Sequence, residues 1–301
     1  MTELLRRPSL LTEGHTDESL RRAVATGALL RVRPGTYLPA PASARDPVAR
    51  HRFLVHATAP VLTPGSVFSG ISAAVLHGLP IWRTPLRRIH VTRDRRSGGR
   101  STANVVLHAA PLPPDEVVLL DGLAVTSVAR TVVDVARSCA FETAVVVADA
   151  ALWRHLVTVT ELEEVVRTAA GRRGIAGARA VLAFTEPADG PGESRSRVCM
   201  HRLGIPAPRI QHAVRDHGGR RVGQVDFWWE DAGVIGEFDG LTKYGRSLQP
   251  GESPQEALVR EKRREDALRA QPRVRAVVRW TWEDLDDFTA TATRLKRLLL
   301  R

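Results

Sequence analysis

Three carboxylates stand within two closely spaced apolar runs. Asp226 interrupts Val225-Asp226-Phe227-Trp228-Trp229, and Glu237 and Asp239 interrupt Val234-Ile235-Gly236-Glu237-Phe238-Asp239-Gly240. Only Glu230-Asp231-Ala232-Gly233 separates the runs, which is the pattern of a β-hairpin. With Asp231 and Ala232 as a two-residue turn, Asp226 falls opposite Glu237. Strand side chains alternate between faces, so Val225, Phe227, Trp229, Val234 and Phe238 share one face. Asp226, Glu237 and Asp239 gather on the other. Grouped carboxylates repel one another unless a cation sits among them, so the arrangement suggests a divalent-metal site. The competing reading is an ordinary half-exposed strand, with Asp226 capping a turn and Glu237 paired with an arginine such as Arg264.

The surrounding chain is strongly basic. Its 301 residues carry a net charge of +11 with a pI near 11.0, a field that attracts polyanions. The excess is spread along the chain: residues 191–301 hold 21 Lys+Arg against 16 Asp+Glu, and the rest hold 23 against 17. Arginine-rich codon usage accounts for part of it. Of the 44 basic residues only Lys243, Lys262 and Lys296 are lysine, and two of these follow the acidic hairpin. Where arginine is the default, a retained lysine points to a compact ammonium donor. Cys139 and Cys199 lie in unrelated contexts without metal-ligand spacing. With no signal-peptide pattern and no apolar run of membrane-spanning length, the expectation is a cytoplasmic protein with no membrane partner.

The length suits two or three domains, and composition divides the chain accordingly. In residues 1–41, Thr16 is placed to cap a helix beginning at Asp17, with Leu20, Ala23 and Val24 as its apolar stripe. Leu29 to Val32, a turn at Arg33-Pro34-Gly35, and Thr36 to Leu38 form a small hairpin. A helix followed by a hairpin is the shape of a winged helix that binds DNA. Arg21 and Arg22 would lie on its exposed helix face, with Arg31 and Arg33 on the wing. A plain solvated arginine face explains the same charges equally well.

The string Thr16 to Leu38, with Ser69-Gly70-Ile71-Ser72-Ala73-Ala74-Val75-Leu76-His77-Gly78-Leu79-Pro80 and Thr126-Ser127-Val128-Ala129-Arg130-Thr131-Val132-Val133-Asp134, resembles the AbiEi-type antitoxin family of type IV toxin–antitoxin systems. The resemblance covers roughly the first 185 residues. It implies an operator-binding winged helix, a following α/β domain, and a cognate toxin or regulatory partner. The helix that precedes the recognition helix in that family is shortened here, because few residues precede Thr16 and they include Pro8.

Residues 46–187 alternate helical and extended patterns. Helices are expected over His51 to Ala59, Ser69 to His77, from a cap at Thr126 or Ser127 through Ala136, Glu142 to Trp153 and Thr160 to Ala170, with strands over Arg88 to Thr92 and Asn104 to Ala109. Arg93 to Arg100 reads as a basic, glycine-containing loop. His77 has no catalytic partner pattern and reads as a packed or capping histidine. Arg130 and Asp134, four apart on a helix, read as an ion pair. Residues 188–192 lie in a Pro- and Gly-rich stretch, Glu186 to Gly192, that reads as a linker.

Beyond it, residues 193–301 alternate in the order αβββαβ, then a final helix. The elements expected are a helix from Glu193 to Leu203, strands over Arg209 to Arg215, Arg221 to Trp229 and Val234 to Asp239, and a helix capped by Ser253 through Ala270. A strand over Val274 to Trp282 and a helix over Thr289 to Leu300 complete the chain. The fold class is therefore α/β (α+β). Trp228, Trp280 and Trp282 are candidates for base stacking or for core.

This order resembles the PD-(D/E)XK nuclease superfamily, and within it the Vsr-like endonucleases, over about Glu193 to Leu285. The matching residues are Glu193 opening the first helix, Asp226, Glu237-Phe238-Asp239-Gly240, and a helix carrying Glu261-x-x-Arg264-x-x-x-Leu268. The resemblance implies that Asp226 and Glu237 hold Mg²⁺ (or Mn²⁺), and that Glu193 orients the attacking water or binds a second ion. The superfamily keeps a lysine where this chain has Asp239. Lys262, on the following helix, and Lys243, just past the third strand, are the candidates to replace it. Arg260, Arg263 and Arg264 would position DNA phosphates. Two functions follow: a metal-dependent DNA endonuclease, or a non-catalytic DNA-binding regulator built on a degenerate nuclease fold. A protein-interaction scaffold is a third, and oligomeric state is left open.

Overall fold

The computed structural model describes residues 4–39, 46–102, 104–240 and 253–300. The chain divides into two compact units, Met1–Thr185 and Glu186–Arg301. Helices and mixed sheets alternate in both, which makes the class α/β. Among the described residues no helix is long and apolar enough to cross a membrane.

The first unit opens with β1 (Leu5–Arg6), α1 (Arg7–Thr12), α2 (Asp17–Ala25), β2 (Leu29–Arg33) and β3 (Thr36–Pro39). The strands form one sheet in the order β1-β3-β2. Thr16 caps α2 through a reciprocal bond with Ser19, and Leu10, Leu20 and Tyr37 close a small core. The helix and hairpin are those expected, and α1 is indeed short, with Pro8 in its first turn. Strand β1, pairing with β3, was not legible in the sequence.

The rest of that unit is built on a six-stranded sheet in the order β6-β7-β5-β4-β9-β8. Its strands are β4 (Val67–Phe68), β5 (Ile89–Asp94), β6 (Arg100–Ser101), β7 (Val105–Ala110), β8 (Val117–Leu120) and β9 (Leu123–Thr126). The helices are α3 (Pro47–Thr58), α4 (Gly70–Leu76), α5 (Val128–Ser138), α6 (Phe141–Trp153), α7 (Val159–Thr168) and α8 (Ile175–Phe184). Phe68, Ile89, Val91 and Val125 pack beneath Leu54, Val55 and Ala73. His77 is the C-cap residue of α4 and its ring bonds the Thr126 carbonyl at 2.8 Å, a capping role. Arg130 pairs with Asp134 at 2.9 Å and also with Glu116; Arg130 and Glu116 are buried and Asp134 is partly buried. The basic stretch 93–100 is partly ordered, since its ends belong to β5 and β6.

The second unit contains α9 (Pro191–Arg202), β10 (Arg209–Arg215), β11 (Arg221–Trp229), β12 (Val234–Asp239), α10 (Pro254–Arg269), β13 (Ala276–Thr281) and α11 (Thr289–Leu299). The sheet order is β10-β11-β12-β13, antiparallel except that β13 runs parallel to β12. One face packs Phe227, Phe238 and Trp280 against Met200 of α9 and Leu295 of α11. The other packs Val225, Trp228, Ile235 and Val277 against Leu268 of α10. Burying each large side chain contributes about 1.5–3 kcal/mol, so the sheet is held from both sides. Trp228 and Trp280 are buried in these layers, and the Trp280 indole donates to Ser196. Neither can stack on a base. Trp282 is half-buried, edge-on to Phe238.

The supposed linker at 188–192 is largely helix cap and first turn. Helix α9 starts at Pro191, two residues before Glu193, because proline suits the first helical position. Gly192 is needed for contact rather than freedom: a Cβ there would stand 1.9 Å from the Phe238 ring. We expect Gly192→Ala to cost about 1–3 kcal/mol through overpacking, measured by urea unfolding of the full chain; a change below about 0.3 kcal/mol would show that α9 can shift to make room.

Candidate active site

The acidic hairpin closes as its spacing requires. Gly233 donates its N–H to the Glu230 carbonyl at 3.1 Å, leaving Asp231 and Ala232 as the turn. Gly233 has φ +61°, and any side chain there would collide with the Arg273 carbonyl. Phe227 pairs with Gly236, Trp228 with Ile235 and Trp229 with Val234, and the ladder ends at Phe227, just short of Asp226 and Glu237. The Asp226 carboxylate accepts the Phe238 N–H at 2.8 Å.

The simple alternation of faces fails at Asp226. Val225 packs with Leu268 whereas Phe227 packs with Trp280, on opposite sides of the sheet, so Val225 does not share a face with Phe227. On the neighbouring strand Gln211, between the pairs Ile210↔Phe227 and His212↔Val225, has φ +49°, while β10 keeps its antiparallel register with β11 on either side of it. The Gln211 amide donates to the Glu193 carboxylate at 2.7 Å. Glu193 reaches Asp226 from α9, while Glu237 stands beside Asp226 on the hairpin.

All three acids are buried: Glu193 is 6%, Asp226 8% and Glu237 5% exposed. Burial, then the charge of Asp226, pushes the Glu193 carboxyl up to about 7, although Gln211 and the Asp189 N–H pull the other way. Glu237 is also raised, mainly by burial and further by Asp226, with Arg264 opposing. Arg264 bonds Glu237 at 3.1 Å, Glu261 at 2.6 Å and the Gln224 carbonyl at 2.9 Å. Burial disfavours its charge, but Glu261 and Glu237 outweigh that and hold its pKa above the usual value.

The remaining sequence candidates scatter. Asp239 is half-exposed and pairs with Arg279 at 3.3 Å. Lys262 is exposed on α10, two positions and so about 200° around the helix from Arg264. The cation facing Glu237 is therefore Arg264 instead of Lys262. Arg260 and Arg263 are exposed on the same helix, and Lys243 lies outside the described residues. In the first unit, Arg21 and Arg22 are exposed on α2 and Arg31 on β2. The Arg33 side chain lies outside the described residues. Two participants were missed: Gln211, and Arg279, which holds Asp239 and Glu265. Gln211 could have been found by extending the β10–β11 register. Arg279 sits opposite Glu237 in a parallel pairing, which local sequence does not reveal.

As a metal site the donors are few. Among the described residues no three His, Cys, Asp or Glu side chains form a group that could hold an ion. Mg²⁺ is commonly held by one or two carboxylates with waters and substrate phosphates; of the acids here, Asp226 accepts the Phe238 N–H and Glu237 carries Arg264.

Because the folded Glu193 holds its proton up to about 7 and the unfolded chain releases it near 4.5, stability falls as pH rises across that window. Glu193→Gln removes this penalty. It is expected to be more stable than the parent at pH 8 by on the order of 1–3 kcal/mol, and level with it near pH 4.5. Thermal melts across pH check this, and a constant difference at all pH values would rule out the raised carboxyl.

No family model matches the chain. Two uncharacterised Mycobacterium tuberculosis proteins, MT2308 (strain CDC 1551) and Rv2248 (strain H37Rv), are each 35% identical to it over 123 residues, 40% of this chain. The match spans 45% of those relatives' own length. The crystal structure of the RV2827C protein from M. tuberculosis superimposes with a TM-score of 0.38 at 18% identity, covering 70% of this chain and 83% of that one.

Proposed function

We propose that the unit Glu186–Arg301 is a metal-dependent DNA endonuclease and that the winged-helix-like segment of the first unit also contacts DNA, in a cytoplasmic protein. The observation that carries the reading is the buried group Glu193, Asp226 and Glu237, in which Asp226 raises the pKa of both neighbours. Burying three acids side by side is costly even with Arg264 on Glu237 and Gln211 on Glu193, and a bound cation would lower that cost. Mg²⁺ or Mn²⁺ on Asp226 and Glu237 would activate water and polarise the scissile phosphate. Glu193, bonded by Gln211 and the Asp189 N–H, is the acid that would orient that water or bind a second ion. Asp239 cannot supply the positive charge that a lysine would. Arg264 is nearest to Glu237 and takes that part, with Lys262 and Lys243 as further candidates. Arg260 and Arg263 offer exposed charges to phosphates.

A second reading is favoured by one observation: Glu237 and Asp239 already have arginine partners, Arg264 and Arg279. In it the chain is a non-catalytic DNA-binding regulator, antitoxin-like, with a cognate toxin as partner. One experiment separates the two. Nicking of supercoiled plasmid is expected with Mg²⁺ or Mn²⁺, falling on the order of 10²-fold or more in Asp226→Asn and Glu237→Gln. If the parent cleaves no double-stranded, single-stranded or branched DNA with either metal, yet binds DNA with steep salt dependence, the regulator reading stands instead.

A further inference from the structure

The first unit contains a cavity of about 580 Å³, within the roughly 300–1,000 Å³ of small-molecule sites. It lies against β5 and β7 and the helix α5, and its lining includes Ser69, Thr92, Gly98, His108, Arg137 and Arg173. Where an apolar core would normally fill such a space, the sheet presents hydroxyls and imidazoles. Thr92 and His108 face each other in register. The Thr92 hydroxyl donates to Ser69 at 2.8 Å, and His90 Nδ1 lies 3.1 Å from His108 Nε2. One of that pair must donate and the other accept. Among the described residues His108 Nδ1 then has no hydrogen-bond partner. Burial keeps both rings neutral, so the floor offers uncharged donors and acceptors.

The lining is positive elsewhere. Arg130 is neutralised by Glu116 and Asp134. Arg137 spans Asp134 and the Arg173 carbonyl. The exposed Arg173 guanidinium makes no hydrogen bond or ion pair among the described residues. Leu107, Ala109 and Ala110 supply small apolar wall between the two zones.

We infer that this cavity binds a nucleotide-sized phosphorylated metabolite, its polar body against Thr92 and His108 and its phosphate against Arg173. The site is independent of the acidic hairpin and extends beyond the endonuclease reading. Titration calorimetry on the full chain, with the four nucleoside monophosphates, their nucleosides, ribose 5-phosphate and inorganic phosphate as probes, tests it. At least one phosphorylated compound should bind about tenfold or more tightly than both its unphosphorylated form and inorganic phosphate. Arg173→Ala should weaken that binding about tenfold while leaving the nucleoside unchanged, and Thr92→Val should weaken both. Arg173 is exposed, so its variant keeps the fold, and equal melting temperatures confirm this. No saturable binding at millimolar probe, equal affinity for inorganic phosphate, or an Arg173→Ala variant that binds like the parent would each overturn the assignment.

Discussion

A carboxylate taken out of water costs several kcal/mol unless its charge is compensated, and in the second unit Asp226 is the group around which that cost is arranged. It accepts one main-chain N–H from Phe238, and its charge falls on Glu193 from one helix layer and on Glu237 along the hairpin. The neighbourhood answers in three ways. Glu193 moves its proton affinity toward neutrality, Gln211 gives up regular strand geometry to donate to Glu193, and Arg264 folds onto Glu237. Each response is a local departure from what an ordinary sheet would do. Such departures are stored where function requires them.

The parts of this site set by local pattern were legible. The hairpin register followed from a two-residue turn, and the helix positions of Glu193 and Arg264 from capping and periodicity. What could not be read was anything decided across the sheet. Val225 was assigned to the wrong face because strict alternation takes every residue of the strand as regular, whereas Val225 packs with Leu268 and Phe227 with Trp280. Arg279 enters through a parallel pairing with Glu237, far from it in sequence. The Pro191-Gly192 pair reads as linker by composition, but the same residues open a helix that must lie against Phe238. Short strands such as β4 and β6, two residues each, carry no period to detect.

The first unit shows the same division between local pattern and long-range environment. Spacing alone identifies Arg130 and Asp134 as an ion pair, which on an exposed helix would contribute a few tenths of a kcal/mol. The fold buries Arg130 to 1% exposure and adds Glu116 from outside the helix. Removing one partner of a buried pair costs about 3–5 kcal/mol, so the contact that reads as decoration acts as an anchor. Burial converts the meaning of the residue, and burial was the one property its spacing could not report.

The same reasoning bears on the unusual Asp239. A lysine there would place its charge beside Glu237; this chain distributes positive charge over Arg264 and Arg279 on neighbouring elements. Arg264 keeps hydrogen bonds to Glu261 and to the Gln224 carbonyl besides its contact with Glu237. A divalent ion competing for Glu237 would therefore not strand a buried guanidinium, because two of its three partners remain. An arginine tied to Glu237 alone would have to be desolvated and unpaired for the ion to enter, at a cost of several kcal/mol. The shared arrangement removes most of that barrier. The arginine that makes Glu237 look structurally committed is, by its other bonds, the one able to let it go.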